Sequence, residues 1–219
     1  MLSLDLRHAR PGGVSHVLCL GAHADDIEIG CGATLLSLLQ SQPGLAVTWV
    51  VFSATGPRIA EARSSAEAYL AGAASKQVHV HDYRDGFFPH EGRAIKETFE
   101  RLKSSVQPDL VFTHYGNDMH QDHRVLAELT WNTFRDHLVL EYEIPKFDGG
   151  VGSPSVFVPA SEEHVQRKTD LLLAHFASQA GKRWFTEDLF RSLMRLRGME
   201  CNSPSNFAEA FYARKIVVG

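Results

Sequence analysis

Apolar runs of strand length alternate with helical segments through the first two-thirds of the chain, and this alternation narrows the fold more than any other feature. SHVLCL (15–20), LAVTWVVFSA (45–54), KQVHVHDY (76–83), DLVFTHY (109–115) and LVLEYEI (138–144) read as strands. They are short and rich in β-branched or aromatic residues. Between them GATLLSLLQSQ (32–42), the Ala-rich RIAEARSSAEAYLAGA (58–73), GRAIKETFERLKSSVQ (92–107) and DHRVLAELTWNTFRDH (122–137) read as helices. In the third of these, Ile95, Phe99, Leu102 and Val106 fall on one helical face. Pro43-Gly44, Pro108 and Pro145 close their segments. This β-α order predicts an α/β fold, a Rossmann-like three-layer sandwich with a mainly parallel sheet and helices on both faces. Beyond about residue 146 the pattern is less regular. FDGGVGSPS (147–155) reads as loop, 161–176 and 186–199 as helices, and EAFYARKIVV (209–218) as a late strand. With no repeat, low-complexity tract or clear linker, residues 1–219 read as one domain.

Ligands of such a sheet sit beyond the carboxyl ends of its strands. That rule selects the loops 21–32, 53–58, 82–92 and 114–124. The first, GAHADDIEIGCG, carries His23, Asp25 and Asp26; the fourth, HYGNDMHQDHR, carries His114, Asn117, Asp118, His120, Asp122, His123 and Arg124. If strands one and four are neighbours, the two loops face one crevice. Charges at the end of a buried strand are costly unless paired or bound to a metal. One His and one Asp from the first loop and one His from the fourth make the three-ligand set of a catalytic zinc, which leaves a fourth position to water and lowers that water's pKa to about 7. A spare carboxylate there can accept a proton, and a spare histidine can stabilise an oxyanion or protonate a leaving group. The competing structural account makes the Asp-Asp pair a helix cap and the loop histidines merely solvated. Two clusters at equivalent strand ends weigh against it. Gly21, Gly30 and Gly32 form no G-x-G-x-x-G, so a dinucleotide fingerprint is absent.

The formal net charge of −4 and pI near 6.3 supply no basic surface for nucleic acid. No apolar run approaches the roughly 18 residues of a membrane span, and MLSLDLRHARPGG lacks the apolar core of a signal peptide. Cys19, Cys31 and Cys201 are too few and scattered for a disulfide framework. The expectations are a cytoplasmic chain with no nucleic-acid partner and no membrane span; association into a homo-oligomer stays open.

AHADDIEIGCGATL resembles the N-terminal signature of the PIG-L/LmbE family of zinc-dependent N-deacetylases, Ala-His-Pro-Asp-Asp followed by an acidic residue and a Gly-rich helix start. HQDHR resembles the family's second signature, His-x-Asp-His. Ala24 stands where the family usually has proline, which would stiffen the turn but donates no ligand. The resemblance implies that His23, Asp26 and His123 bind zinc, with Fe2+ or Co2+ able to take the same ligands. It implies Asp25 as general base and His120 as the group that stabilises the oxyanion or protonates the departing amine. Asp122 is expected to orient His120 and raise its pKa, and the Gly30–Gly32 segment to let the backbone pass close to the metal loop. Arg58 in GPRIAE and Asp85 in YRDG resemble family substrate contacts. The activity implied is removal of acetyl from an N-acetylated amino sugar or sugar conjugate, a small-molecule substrate. The alternatives are an amidase acting on a non-sugar N-acyl substrate, or a non-enzymatic sugar- or metal-binding protein that kept the loops.

Other polar residues receive structural readings. His79 and His81 alternate inside a strand and are expected to be partly buried. His114 is placed behind the metal ligands, and Cys31 is read as a small buried residue rather than a ligand. Lys182, Arg183 and Trp184 have two readings, contact with a phosphate and a stacked ring or a solvated loop with one anchoring aromatic, and the second is preferred. EYEIPKFDGG (141–150) lines either a substrate mouth or a subunit contact.

Overall fold

The computed structural model describes Asp5 and residues 13–217. Of MLSLDLRHARPGG, only Asp5 and Gly13 fall among the described residues, and Val218 of the expected late strand lies outside them. The strands are β1 (His16–His23), β2 (Ala46–Ser53), β3 (Ser75–Val80), β4 (Leu110–His114), β5 (Leu138–Tyr142), β6 (Val156–Pro159) and β7 (Ala208–Tyr212). The helices are α1 (Asp26–Ser41), α2 (Pro57–Tyr69), α3 (Gly92–Ser105), α4 (Gln121–Thr133), α5 (Glu162–His175) and α6 (Glu187–Glu200). One sheet runs in the order β3-β2-β1-β4-β5-β7-β6. Its first five strands are parallel, and β7 lies antiparallel to both neighbours. Among the described residues no helix is long and apolar enough to cross a membrane.

The period-2 alternation of the strands builds both outer layers. Val17, Cys19, Trp49, Val51, Leu110 and Phe112 pack on one face, against Leu35 of α1, Ala62 of α2 and Leu172 of α5. Leu18, Leu20, Val50, Phe52 and Val111 pack on the other, against Ile95 and Phe99 of α3 and Leu126 of α4. The expected α/β three-layer architecture is therefore present. β1 sits between β2 and β4, in register through Cys19 with Trp49 and Phe112. The order of strands steps out in opposite directions at β1, so the loops after β1 and β4 meet at one end of the sheet.

Two features depart from the sequence reading. β6 was not anticipated: three half-buried residues and the exposed Pro159 form a strand only because β7 offers them an edge. Helix α1 begins six residues earlier than the apolar pattern suggests, and it is interrupted at Cys31 (φ −142°, ψ 16°). The glycines around that break do not serve the metal loop. A Cβ at Gly30 would stand 2.2 Å from Tyr142 Cδ2, and one at Gly32 would stand 2.9 Å from Tyr69 Cε1, so both admit buried tyrosine rings. The interrupted helix leaves backbone groups to be satisfied. Lys168 Nζ donates to Ile29 O (2.7 Å) and to Glu209 Oε1 (2.6 Å), while the Glu209 carboxylate accepts the N–H groups of Ala33 and Thr34 at 3.0 and 2.7 Å. An ion pair joining α5 to β7 thus completes the broken turn.

Candidate metal centre and active-site crevice

His23 ends β1, Asp26 opens α1, and His123 lies in the first turn of α4. The parallel pairing of β1 with β4 brings these elements together. His23 Nδ1 is 3.2 Å from Asp26 Oδ2 and 3.3 Å from His123 Nε2, and His123 Nε2 is 3.6 Å from Asp26 Oδ2. Four ligands placed tetrahedrally at zinc-ligand lengths of about 2.0–2.1 Å lie about 3.3–3.4 Å apart. The triangle therefore has the dimensions of three corners of such a site. The remaining ring nitrogens are held by carboxylates, the arrangement that orients metal-ligating histidines. His23 Nε2 faces Asp122 Oδ2 (3.3 Å) and Asp85 Oδ1 (3.1 Å), and His123 Nδ1 faces Asp118 Oδ2 (3.0 Å). These donors, two nitrogens and one oxygen, suit a divalent cation.

The helix-cap account of the Asp-Asp pair fails on geometry. Asp25 precedes α1, yet its side chain makes no cap hydrogen bond. Arg58 Nη2 donates to Asp25 Oδ1 instead (2.9 Å). Asp26 Oδ2 accepts the backbone N–H of His23 (2.6 Å) and so closes the turn against the strand end. Burial raises the Asp25 carboxyl above its ordinary value, against the pull of Arg58. Burial also opposes ionisation of Asp26, but His123, His114 and His23 outweigh it and hold that carboxyl well below the ordinary range. Burial, reinforced by His114, lowers His123 to about 3, so its imidazole is neutral, as a metal ligand must be.

A family model described as "PIG-L: GlcNAc-PI de-N-acetylase" matches residues 18–134, more than half of the chain. The chain belongs to the PIG-L family. It is 28% identical over 168 residues to the uncharacterized deacetylase YaiS of Escherichia coli K12, spanning 73% of this chain and 89% of that one. The N,N'-diacetylchitobiose deacetylase from Pyrococcus horikoshii has the same fold (TM-score 0.71, 20% identity, 95% of this chain and 86% of that one). So does GalB, the 4-carboxy-2-hydroxymuconate hydratase from Pseudomonas putida KT2440 (TM-score 0.72, 17% identity, 94% and 98%). A hydratase on this fold shows that architecture alone does not choose the reaction.

Within this PIG-L site the environment of Asp122 differs from expectation. It is fully buried, and its Oδ1 accepts Phe88 N (3.1 Å) while Oδ2 accepts Gly86 N (2.7 Å) and faces His23. Asp122 therefore pins the loop after β3 to α4 and orients His23, not His120. Burial raises its carboxyl pKa, but the hydrogen bonds from His23, Gly86 and Phe88 lower it further. His120 precedes α4 and caps it, its Nδ1 accepting Asp122 N at 3.2 Å. Its ring lies 4.9 Å from that of His23. Burial lowers its pKa, and so does His23, which Asp26, Asp122 and Asp85 keep protonated against burial when no cation is bound; Asp122 only partly opposes the lowering.

Asp118 and Lys146 were given no role by sequence reasoning. Asp118 Oδ1 accepts His120 N (2.7 Å), and Oδ2 takes both His123 Nδ1 and Lys146 Nζ (2.5 Å). Burial raises the Asp118 pKa, but these partners outweigh it and bring the carboxyl well below its ordinary value. Asp118 was visible only as an acidic residue five positions before His123; Lys146, 28 residues beyond Asp118, was visible only as part of the EYEIPKFDGG segment, with nothing to pair it with Asp118. His114 is buried behind the ligands as expected, stacked on His123 at 3.8 Å between centroids, and its Nε2 accepts Ala22 N (2.9 Å). His79 is exposed rather than partly buried, and His81 packs beside Phe52 and Tyr83. Neither joins a ligand cluster among the described residues. Arg58 and the exposed Asp85 both line the crevice over the triangle, about 360 Å³ in volume. Part of EYEIPKFDGG lines it as well, through Ile144, Pro145, Lys146 and Phe147.

Proposed function

We propose that the protein is a metal-dependent N-deacetylase, with an N-acetylated amino sugar or its conjugate as substrate and zinc as the metal. The observation that carries this reading is the ligand triangle of His23, Asp26 and His123 with the buried Asp25 carboxylate beside it, at the floor of a crevice. Family membership supports hydrolysis of an acetamide, and the sugar-acting deacetylase with the same fold supports the substrate class.

His23, Asp26 and His123 would hold the ion. When bound, it supplies Lewis acidity, polarising the acetamide carbonyl and acidifying water. Asp25 accepts the proton of the attacking water at its carboxylate, and a pKa raised by burial suits that task. Arg58 holds Asp25 in place and itself lines the crevice. His120 stabilises the developing oxyanion or delivers a proton to the departing amine. Arg58 and Asp85 contact the sugar. The free cysteines fit a reducing compartment, consistent with the cytoplasm.

The test combines elemental analysis with acetate release from N-acetylglucosamine glycosides. About one divalent ion per chain is expected by the three-ligand logic, and it is lost in His23→Ala and His123→Ala. Asp25→Asn keeps the ion and loses about 10²–10⁴ in rate, the usual cost of a missing general base. Full metal retention in both histidine variants, or near-unaltered turnover by Asp25→Asn, refutes the assignment.

A further inference from the structure

Five carboxylates stand at the ligand triangle or against it. Asp26 belongs to it, Asp122 and Asp85 face His23, Asp118 faces His123, and Asp25 lies beside Asp26. Two cations pair with them among the described residues. Arg58 is paired with Asp25, and Lys146 Nζ sits on Asp118 Oδ2, the oxygen that also faces His123 Nδ1. Asp85 is largely exposed, so water and salt screen its charge. Once the two ion pairs cancel, Asp26 and Asp122 are the buried carboxylates left over. Their two negative charges match one divalent ion, whose own charge is part of the electrostatics of such a site. Without Lys146 the buried carboxylates would exceed the ion by one charge.

Lys146 is held in this position from two directions. Its Nζ also donates to Ile144 O at 3.0 Å, which fixes the ammonium over its own loop. That loop, from Glu143 to Gly152, is anchored at both ends by one buried side chain of α6. Arg197 Nε and Nη2 donate to the two carboxylate oxygens of Glu143 at 2.7 Å each, and Nη2 donates to Gly152 O at 3.0 Å. Lys146 and Arg197 both lie outside residues 18–134, which the family model matches. A carboxylate behind a metal-ligating histidine raises that histidine's basicity. An ammonium on the same oxygen opposes this effect, with little water to screen it because Asp118 is buried. Asp118 orients His123, and Lys146 governs how much of the carboxylate's charge reaches it.

We propose that Lys146 is a positioning residue that sets the charge of the metal centre, loosening the hold of His123 on the ion and leaving more of the ion's charge to polarise the acetamide carbonyl. It acts through Asp118 and His123. This inference rests on the metal-dependent deacetylase reading above.

The experiment is a zinc competition titration on the unaltered protein and on Lys146→Gln, Lys146→Met and Lys146→Arg, with circular-dichroism melting to show which variants are folded. Gln keeps a hydrogen-bond donor for Asp118 without the charge, Met keeps the aliphatic stem alone, and Arg keeps the charge. Zinc is expected to bind roughly tenfold more tightly to the Gln and Met variants, and within about twofold of the unaltered protein to the Arg variant, the lower end of what partners of metal-ligating histidines contribute. Acetate release from the methyl β-glycoside of N-acetylglucosamine at saturating zinc is expected to show kcat lowered by roughly three- to tenfold in the two neutral variants, with KM unchanged. Tighter metal with slower turnover is the mark of a charge effect, because a lost brace weakens both. Zinc binding unchanged or weaker in Lys146→Gln, or kcat unchanged in both neutral variants, overturns the role of Lys146, while about one zinc per unaltered chain upholds the metal centre. Failure of the unaltered protein to bind zinc overturns the metal reading and this inference with it. Zinc binding without acetate release overturns the substrate reading, and the titrations then decide the role of Lys146 by themselves.

Discussion

Asp118→Asn offers the sharpest test of how this site is held. The substitution preserves shape but leaves one amide oxygen where two carboxylate oxygens serve three donors. Oδ1 accepts His120 N at 2.7 Å, and Oδ2 accepts His123 Nδ1 at 3.0 Å together with Lys146 Nζ. If the amide oxygen stays toward His120, the NH2 group faces His123 Nδ1, which must then accept. The imidazole proton moves to Nε2, the atom that faces Asp26 and His23 and that must be bare to bind a cation. If the amide turns over, its NH2 opposes the His120 N–H, and the start of α4 is pushed apart. Either orientation loses a charge-assisted hydrogen bond, worth about 1.5–3 kcal/mol. That corresponds to roughly 10–100-fold weaker metal binding, the usual penalty for removing a partner that orients a metal-ligating histidine. Zinc competition titrations on the unaltered protein and the variant measure it, and circular-dichroism melting shows whether the variant remains folded. A folded variant that binds zinc within about twofold of the unaltered protein refutes the claim that Asp118 sets the His123 tautomer.

Gly30→Ala places a Cβ 2.2 Å from Tyr142 Cδ2 in a ring whose hydroxyl donates to Leu20 O at 2.6 Å. Overpacking of about 1–3 kcal/mol is expected, lowering Tm by about 2–12 °C for a chain of this size; an unchanged Tm would show that the helix break yields freely. Arg58→Ala strips the buried Asp25 of its cation and is expected to lower kcat/KM by about 10–100-fold, as for a charged hydrogen bond. Asp85→Ala removes a solvent-exposed contact and is expected to cost about fivefold or less, with metal content intact in both, and equal losses would refute this ordering. Lys168→Met leaves Glu209 buried without its cation, an uncompensated charge that costs about 3–5 kcal/mol; denaturant unfolding checks this, and a loss below about 1 kcal/mol would show that the backbone N–H groups of Ala33 and Thr34 suffice for Glu209.

The five parallel strands and the helices between them were legible in the chain because hydrophobic period is a local property. Leu18 and Leu20 fall on one face and Val17 and Cys19 on the other whatever surrounds them. That the loops carrying His23, Asp26 and His123 would face one crevice was legible for a related reason. His23 and Asp26 share one loop, His123 lies in another, and both loops follow apolar runs whose carboxyl ends face the same way in any parallel sheet. Tertiary structure decided what had no local signal. Cys31 interrupts α1 because rings from Tyr142 and Tyr69 arrive from 112 and 37 residues beyond Gly30 and Gly32. Asp122 lies two residues from His120 yet turns to His23, Gly86 and Phe88, because burial leaves a carboxylate to find its donors wherever the neighbouring loop supplies them. Lys146 and Trp184 reach the crevice because β5 lies beside β4 and the α5–α6 connection is tied to α2. Periodicity records which face of its own element a residue occupies; which distant side chain it meets there depends on the order of strands in the sheet.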